Sequence, residues 1–380
     1  MSEVKLTIIG SLHHNTLGVI RSIGEAKVPK TNISVVLVTK NEEPVNILST
    51  TKYIDQENIY YVDDYEGIVP FLVNKQENGE SSVIICCSDG AAGEVISAKE
   101  ILKQKYKIPN ATIDIRELMV KSNQDEIARK CGLIVPESAD FDSDSTIDWD
   151  SFPCIIKPYR SAMAAGKSDI HVVNSKVELN EILRTIRSER IQIQKYIDKD
   201  IEFQLIGCSL DAGETIIIPG FTNIIRQPKT TNTGYLLYSP IDQLQFDLEP
   251  VKKFIRTTGY SGLFSVEFIR GKDGKDYFLE INMRNDGNAY CVESAGVNLP
   301  YIWAYYQTYG KLPDVPTSFN DPIYFIPDFS DLKLAMKTIG PFKWLKQFLQ
   351  AQSHSIYNKN DMGPFRYELW RQVKRIIKMR

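Results

Sequence analysis

Glu267, Glu280 and Asn282 are the residues whose types and spacing point to chemistry. They lie within residues 262–288, where two runs of strand-forming residues flank Asp273-Gly274, a dipeptide that favours tight hairpin turns. With that dipeptide as the turn, Lys272 pairs with Lys275, Glu267 faces Glu280 and Ser265 faces Asn282. Strand alternation puts Glu267 on one face with Leu263 and Ser265, and Phe264, Val266 and Phe268 on the other. Two carboxylates and one amide then converge. Like charges directly opposite across a strand pair repel. A divalent cation removes that conflict, because carboxylate and amide oxygens are hard ligands suited to Mg²⁺. Two unrelated surface glutamates on an exposed hairpin are the alternative.

Lys157 is the second chemical signal. It ends the apolar run of Phe152-Pro-Cys-Ile-Ile-Lys-Pro158. A lysine so placed is costly to leave unpaired, so it should face an anion. No Ser/His/Asp or Cys/His arrangement suggests a covalent nucleophile. The six cysteines (86, 87, 131, 154, 208 and 291) have no Cys-x-x-Cys spacing and sit mostly in apolar runs, so they read as buried free thiols in a reducing cytoplasm.

The elements that must position these residues follow from pattern. The chain has 380 residues, 43% hydrophobic and 24% charged, with net charge −3, enough for two or three globular domains. That balance gives no case for nucleic-acid binding. No run is apolar enough to span a membrane, and the start lacks a signal-peptide core, so the expected location is cytoplasmic. Strand patterns at 5–10, 34–39, 59–62 and 82–87 alternate with helical patterns at 16–24, 65–75 and 92–106, which implies a parallel sheet covered by helices. Ligands of such sheets bind beyond the strand carboxyl ends, which singles out Ser11, His13, His14, Asn15, Ser88, Asp89 and Gly90. The plainer alternative makes Asp89 a helix cap and leaves the histidines solvated.

Further on, Ser122 is the expected N-cap of a helix that ends at Gly132. Residues 140–150 read as an acidic loop, and Ser175-x-x-Glu178 as a capping box. Strands are expected at 169–173, 191–197, 214–219 and 221–226, and helices at 301–309, 331–349 and 364–380.

Glu, a hairpin and then Glu-x-Asn-x-Arg resembles the metal-binding signature of the ATP-grasp superfamily. The resemblance spans roughly residues 1–310 and implies an α/β architecture. Residues 1–115 would form a Rossmann-like parallel-sheet domain. Residues 116–310 would form the ATP-grasp domain, with a small lobe to about 193 and a central metal-binding lobe from 194. Residues 311–380 would be a helical C-terminal extension. By resemblance, Glu267, Glu280 and Asn282 hold Mg²⁺, with Mn²⁺ as a substitute. Arg284 would approach the transferring phosphoryl group or the substrate carboxylate, with Met283 replacing the usual proline. Lys121 and Lys157 would reach the ATP phosphates, although a lone lysine at position 121 is by default a solvated charge. Gln194, Lys195, Tyr196 and Ile197 resemble the linker beside the adenine, and Glu202 the residue that holds the ribose. Arg226 would stabilise the phosphoryl group in transit, since a guanidinium suits bidentate phosphate recognition; a structural salt bridge is its alternative. Ser161-Ala-Met-Ala-Ala-Gly166 stands where the family has a glycine-rich flap.

The resemblance implies an ATP-dependent ligase joining a small carboxylate to an amine or similar nucleophile through an acyl phosphate. The nearest group is that of D-aspartate ligases and carbamoyl-phosphate-synthase-like enzymes. The tail, in Asp328-Phe-Ser-Asp-Leu-Lys and Pro364-Phe-Arg-Tyr-Glu-Leu-Trp370, resembles members linked to surface-polysaccharide synthesis. A nucleotide-binding regulatory or scaffold protein on a decayed fold of this kind is the competing reading. In the last helix Trp370, Val373 and Ile377 form a stripe among bases. It would either pack on the catalytic domain or lie at an anionic membrane surface.

Overall fold

Five short runs that are apolar on both faces build the first sheet: β1 (Leu6–Gly10), β2 (Ile33–Val38), β3 (Ile59–Val62), β4 (Ser82–Cys86) and β5 (Tyr106–Lys107). All pair in parallel, in the order β3-β2-β1-β4-β5. The architecture is that of a computed structural model describing residues 3–43, 45–75, 81–145, 147–159, 170–227 and 233–378. Helices α1 (His14–Glu25), α2 (Ile68–Asn74), α3 (Asp89–Ser97) and α4 (Lys99–Leu102) accompany this sheet. The single helix expected over 92–106 is broken at Ala98, and Tyr106 belongs to β5. Helix α1 begins earlier than its apolar pattern because the His13 side chain accepts a hydrogen bond from Asn15 N.

A small lobe follows. Helices α5 (Ile115–Leu118) and α6 (Lys121–Cys131) lead to the strands β6 (Ser138–Asp142), β7 (Cys154–Pro158), β8 (His171–Val173) and β9 (Arg190–Lys195), with α7 (Lys176–Leu183) between the last two. These strands form an antiparallel sheet in the order β6-β9-β7-β8. Three corrections arise here. Helix α6 starts at Lys121 with Val120 as cap, so Ser122 lies inside it; Gly132 ends it at φ 96°, as expected. The acidic tract from 140 begins in strand β6, because Ala139 and Phe141 pack against the lobe's apolar core. Only half of the capping box forms: Ser175 accepts from Glu178 N, but Glu178 Oε2 accepts from Asn174 N, one residue before the cap.

The central sheet has the strands β10 (Lys199–Leu210), β11 (Thr215–Arg226), β12 (Tyr235–Pro240), β13 (Gly262–Gly271), β14 (Asp276–Asn282), β15 (Ile323–Ile326) and β16 (Ser353–His354). Their order is β14-β13-β10-β11-β12-β15-β16. Helices α8 (Glu249–Thr258), α9 (Tyr290–Ser294), α10 (Leu299–Tyr309), α11 (Asp328–Thr338), α12 (Pro341–Gln350) and α13 (Gly363–Lys378) complete the chain. The two strands expected across 214–226 are one strand, β11. Pro219 falls where the register with β10 shifts between Ile206 and Cys208, so its missing N–H breaks no regular ladder.

The extension after residue 310 is not purely helical, because β15 and β16 continue the central sheet beyond β12. The helix expected over 331–349 is split at Gly340, whose φ of 78° stops it. A buried ion pair, Arg21 Nε to Asp361 Oδ2 at 2.9 Å, ties the extension to α1. On α13, Trp370, Val373 and Ile377 are exposed, so that stripe does not pack on the body of the protein. No helix among the described residues is long and apolar enough to cross a membrane, and all six cysteines are buried and free.

Candidate active site

Strands β13 and β14 pair Ser265 with Asn282 and Glu267 with Glu280, as the hairpin reading expects, but by another route. The loop is one residue longer, because Gly271 N donates to Lys275 O and Gly274 adopts φ 78°. Phe268 therefore pairs with Phe278, and Leu279 is an extra residue that restores the register before Glu280. Outward alternation holds. Phe264, Val266 and Phe268 enter one apolar core, and Leu263 enters the other.

Helix α6 is pinned to β14 by Gln124, whose amide donates to Ile281 O at 3.2 Å and accepts from Ile281 N at 3.0 Å. That places Lys121 Nζ 2.8 Å from Glu280 Oε2, with both side chains 15% exposed. Lys157, at the end of β7, donates to Gln194 Oε1 on β9 at 2.6 Å. The small lobe thus brings two lysines to the two carboxylates of the central sheet.

The charges are strongly unequal. Lys121, more than any other group, holds Glu280 down to about 2. Glu267 moves the opposite way, well above the usual carboxylate range, because it is buried and faces Glu280 and Asp286. Burial disfavours the Lys121 ammonium, but Glu280, Glu267 and Asp125 together outweigh it and the group is held above its ordinary value. Lys157 is lowered to about 8 by burial and then by Lys121, against the pull of Glu280, Asp125 and Glu267. Among the described residues Glu280 is thus in a direct ion pair, with Lys121, and Glu267 in none.

Around Glu267 lie residues that sequence reasoning missed. Gln204 sits opposite it on β10 and donates to it at 3.0 Å. The Asn282 amide donates to it at 3.2 Å. Asp286 accepts from Ser265 at 3.1 Å, from Gln204 at 3.3 Å and from Arg284 at 3.1 Å. Gln204 was legible, since it lies two residues along β10 from Glu202 and shares its face. Asp286 gave only the signal of a polar cluster, Arg-Asn-Asp-Gly-Asn, directly after an apolar strand.

Arg284 bridges Asp89 at 3.2 Å and Asp286 at 3.1 Å and is 10% exposed. Burial opposes its charge, but Asp89 and Asp286 raise its pKa further. Asp89 is thus not the helix cap, a role taken by Ser88, which accepts from Ala91 N. Asn15 is buried and exchanges hydrogen bonds with Asn285, accepting one from its amide at 2.6 Å and donating to its carbonyl at 3.0 Å. His14 is half-buried and bonded to Thr233 Oγ1 at 3.1 Å, so it is not a solvated ring. Burial, and then His13, keep its pKa well below 6.5.

Other expected site residues lie further out. Glu202 pairs with Lys199 at 2.7 Å, while its charge is felt at Glu267. In the linker, Lys195 N donates to Glu137 O and Tyr196 N to Pro153 O, so these two amides are used within the chain. Ile197 packs beside the Gly271 turn. Arg226 makes its contacts elsewhere. Its guanidinium grips Asp331 of α11 through two nitrogens and lies over the Tyr235 ring at 5.0 Å. Asp331 is fully buried, so the structural ion pair is what forms. The segment Ser161–Gly166, with Lys229 and the start of the polar loop after it, lies outside the described residues.

The donor set fits a divalent cation. Two carboxylates and an amide converge, and burial together with the facing acids Glu280 and Asp286 destabilises Glu267 as an anion. Lys121 supplies to Glu280 the neutralisation that a cation would supply. No group of three or more His, Cys, Asp or Glu side chains disposed to hold a metal occurs among the described residues, so a cation here would draw on the Asn282 amide besides the two carboxylates.

No family model matches the sequence. A D-alanine–D-alanine ligase from Anaeromyxobacter sp. (strain K) is 26% identical over 136 residues, covering 34% of this chain and 43% of that protein. The match thus spans less than half of its relative. Among solved structures, an L-amino acid ligase from Bacillus licheniformis superposes with a TM-score of 0.60 at 15% identity, over 81% of this chain and 75% of its own. The biotin carboxylase domain of a Hydrogenobacter thermophilus 2-oxoglutarate carboxylase, bound to MgADP, ADP and bicarbonate, superposes at 0.62 and 18% identity, over 85% of this chain and 74% of its own.

Proposed function

From the premise that this chain carries the ATP-grasp fold, we propose that it is an ATP-dependent carboxylate–amine ligase. The observation that carries the reading is the half-buried Glu267–Glu280 pair on the central sheet, met by Lys121 and Lys157 from the small lobe. That arrangement suits a polyanion bridged by a metal between the two lobes.

In the reaction, the γ-phosphoryl group of ATP passes to a substrate carboxylate and ADP leaves. An amine then attacks the acyl carbon, a C–N bond forms and phosphate departs. Lys157 would contact the nucleotide phosphates, as would Lys121 once Glu280 releases it. Glu267, Glu280 and Asn282 would hold Mg²⁺ (or Mn²⁺), whose chemistry is to neutralise phosphate charge as it shifts. Asp89 and Asp286 orient Arg284, which would meet the substrate carboxylate or the phosphoryl group in transit. Gln194 to Ile197 and Glu202 would line the nucleoside end. None of these residues forms a covalent bond to substrate; they act by placement and charge.

Within this class, the reading is of a ligase like those for D-aspartate, joining an amino acid to a cell-surface precursor. It rests on the sequence resemblance in Asp328–Lys333 and Pro364–Trp370. One observation favours instead a nucleotide-binding protein without ligase activity: Arg226 is engaged by Asp331. The test is a screen for ADP and phosphate release across amino acids and hydroxy acids, crossed with amine acceptors. Release that requires both a carboxylate and an amine supports the ligase. Nucleotide binding with no release in any combination supports the alternative.

A further inference from the structure

Charge is unevenly divided along this chain. Residues 332–380 hold 11 of the 45 Lys and Arg but 2 of the 48 Asp and Glu, a net of +9 against −12 for the residues before them. Both acids are buried: Asp361 is bound to Arg21, and Glu368 to Arg371. The same segment holds eight of the twenty exposed large apolar residues among the described ones. Phe342 is 88% exposed and Leu349 74%, both on α12, whose opposite side packs Trp344 and Phe348 inward.

Helix α13 is anchored at its start. Pro364 and Glu368 are buried, and Phe365 stacks on Phe329 at 5.4 Å. From Leu369 onward every described side chain but that of Gln372 is exposed. Leu369, Trp370, Val373 and Ile377 fall within an arc of about 100° at the ordinary helical twist, and all four are exposed. Arg371, Lys374 and Arg375 are exposed beside them, with Lys374 Nζ 3.5 Å from the Trp370 ring centre.

Such a face needs an occupant that is apolar and negative together. A nucleic acid would satisfy the bases and leave the stripe in water. A second copy of this chain would set +9 against +9. An anionic lipid surface offers acidic headgroups directly above an apolar phase, where an interfacial Trp and flanking bases are favoured. We propose that residues 332–378, through α13 with α12, dock this protein on an anionic membrane surface.

The test is co-sedimentation of the full-length protein with vesicles of phosphatidylcholine alone or with about 30% phosphatidylglycerol. The expected result is at least tenfold tighter binding to the anionic vesicles, weakened by added salt. The triple variant W370S/V373S/I377S and, separately, K374E/R375E should each lose at least tenfold. Both alter exposed positions, and an unchanged melting temperature confirms that they fold. Equal or negligible binding of the wild type to both vesicles would overturn the proposal, as would full binding by the triple variant. A concentration-dependent dimer abolished by that variant would also overturn it, since the face would then join copies.

Discussion

Lys157 allows a sharp test of where the nucleotide binds. Its ammonium is buried beside Lys121 and lowered from 10.5 to about 8. An anion placed against it favours the charged form and restores the pKa. Affinity for a non-hydrolysable ATP analogue should therefore be flat up to roughly pH 7.5 and fall above it, because the free protein must then take up a proton to bind. At about pH 9 only about one Lys157 in ten is charged in the free protein, so affinity should drop about tenfold, or about 1.4 kcal/mol. Calorimetry in buffers of different ionisation enthalpy reads the same event as uptake of about half a proton at pH 8 and about 0.9 at pH 9. His14 stays neutral throughout, since its pKa lies well below 6.5. Glu293, pushed up to about 8 by burial and by Glu25, titrates in this window but beside the far end of α1. Lys157→Gln separates the two, abolishing the uptake, and Lys157→Ala should weaken binding by roughly 1.5–3 kcal/mol. Constant affinity and no proton uptake across the window would show that Lys157 does not meet the nucleotide.

Glu280→Gln should abolish ATP turnover with the fold intact, because a neutral amide is a poor Mg²⁺ ligand; normal ADP release would remove the metal assignment. Glu267→Gln should lose turnover as well, yet melt higher than wild type near neutral pH. The Glu267 carboxyl is raised in the fold, so its contribution to stability falls as pH rises through the interval between its unfolded and folded pKa values. The advantage of the variant should vanish in acid, and an equal or lower melting temperature at pH 8 would refute the strain assigned to Glu267. Asp331→Ala strands the buried Arg226 guanidinium and should cost about 3–5 kcal/mol in urea unfolding; a loss below about 1 kcal/mol would show that the pair relaxes into water.

What could be read beforehand was what is local. The facing of Glu267 and Glu280 follows from alternation along adjacent strands, and Lys157 stands out because a charge ends an apolar run. The roles of Arg226 and Asp89 were hidden, because their partners Asp331 and Arg284 lie 105 and 195 residues away. No periodicity carries such pairings. Strands β12, β15 and β16 were missed for a related reason. They are short or lie next to irregular segments, and they earn their place by closing a sheet assembled from distant pieces. Hairpin counting reached the right pairing from the wrong loop, because the added loop residue and the bulge at Leu279 cancel.

That cancellation affects how the chain tolerates change in length. A strand shifted by one residue turns every side chain to its other face. Removing Leu279 would not do this, because Phe278 would stay opposite Phe268 and Glu280 opposite Glu267, in a ladder that has simply lost its bulge. Removing Lys272 as well would leave a two-residue loop between the same pairs. The hairpin therefore has a permissive tip and one spare residue in its stem. Insertions around Asp273 leave the ladder unmoved, whereas a residue added between Glu280 and Asn282 would put those two side chains on opposite faces of the sheet edge.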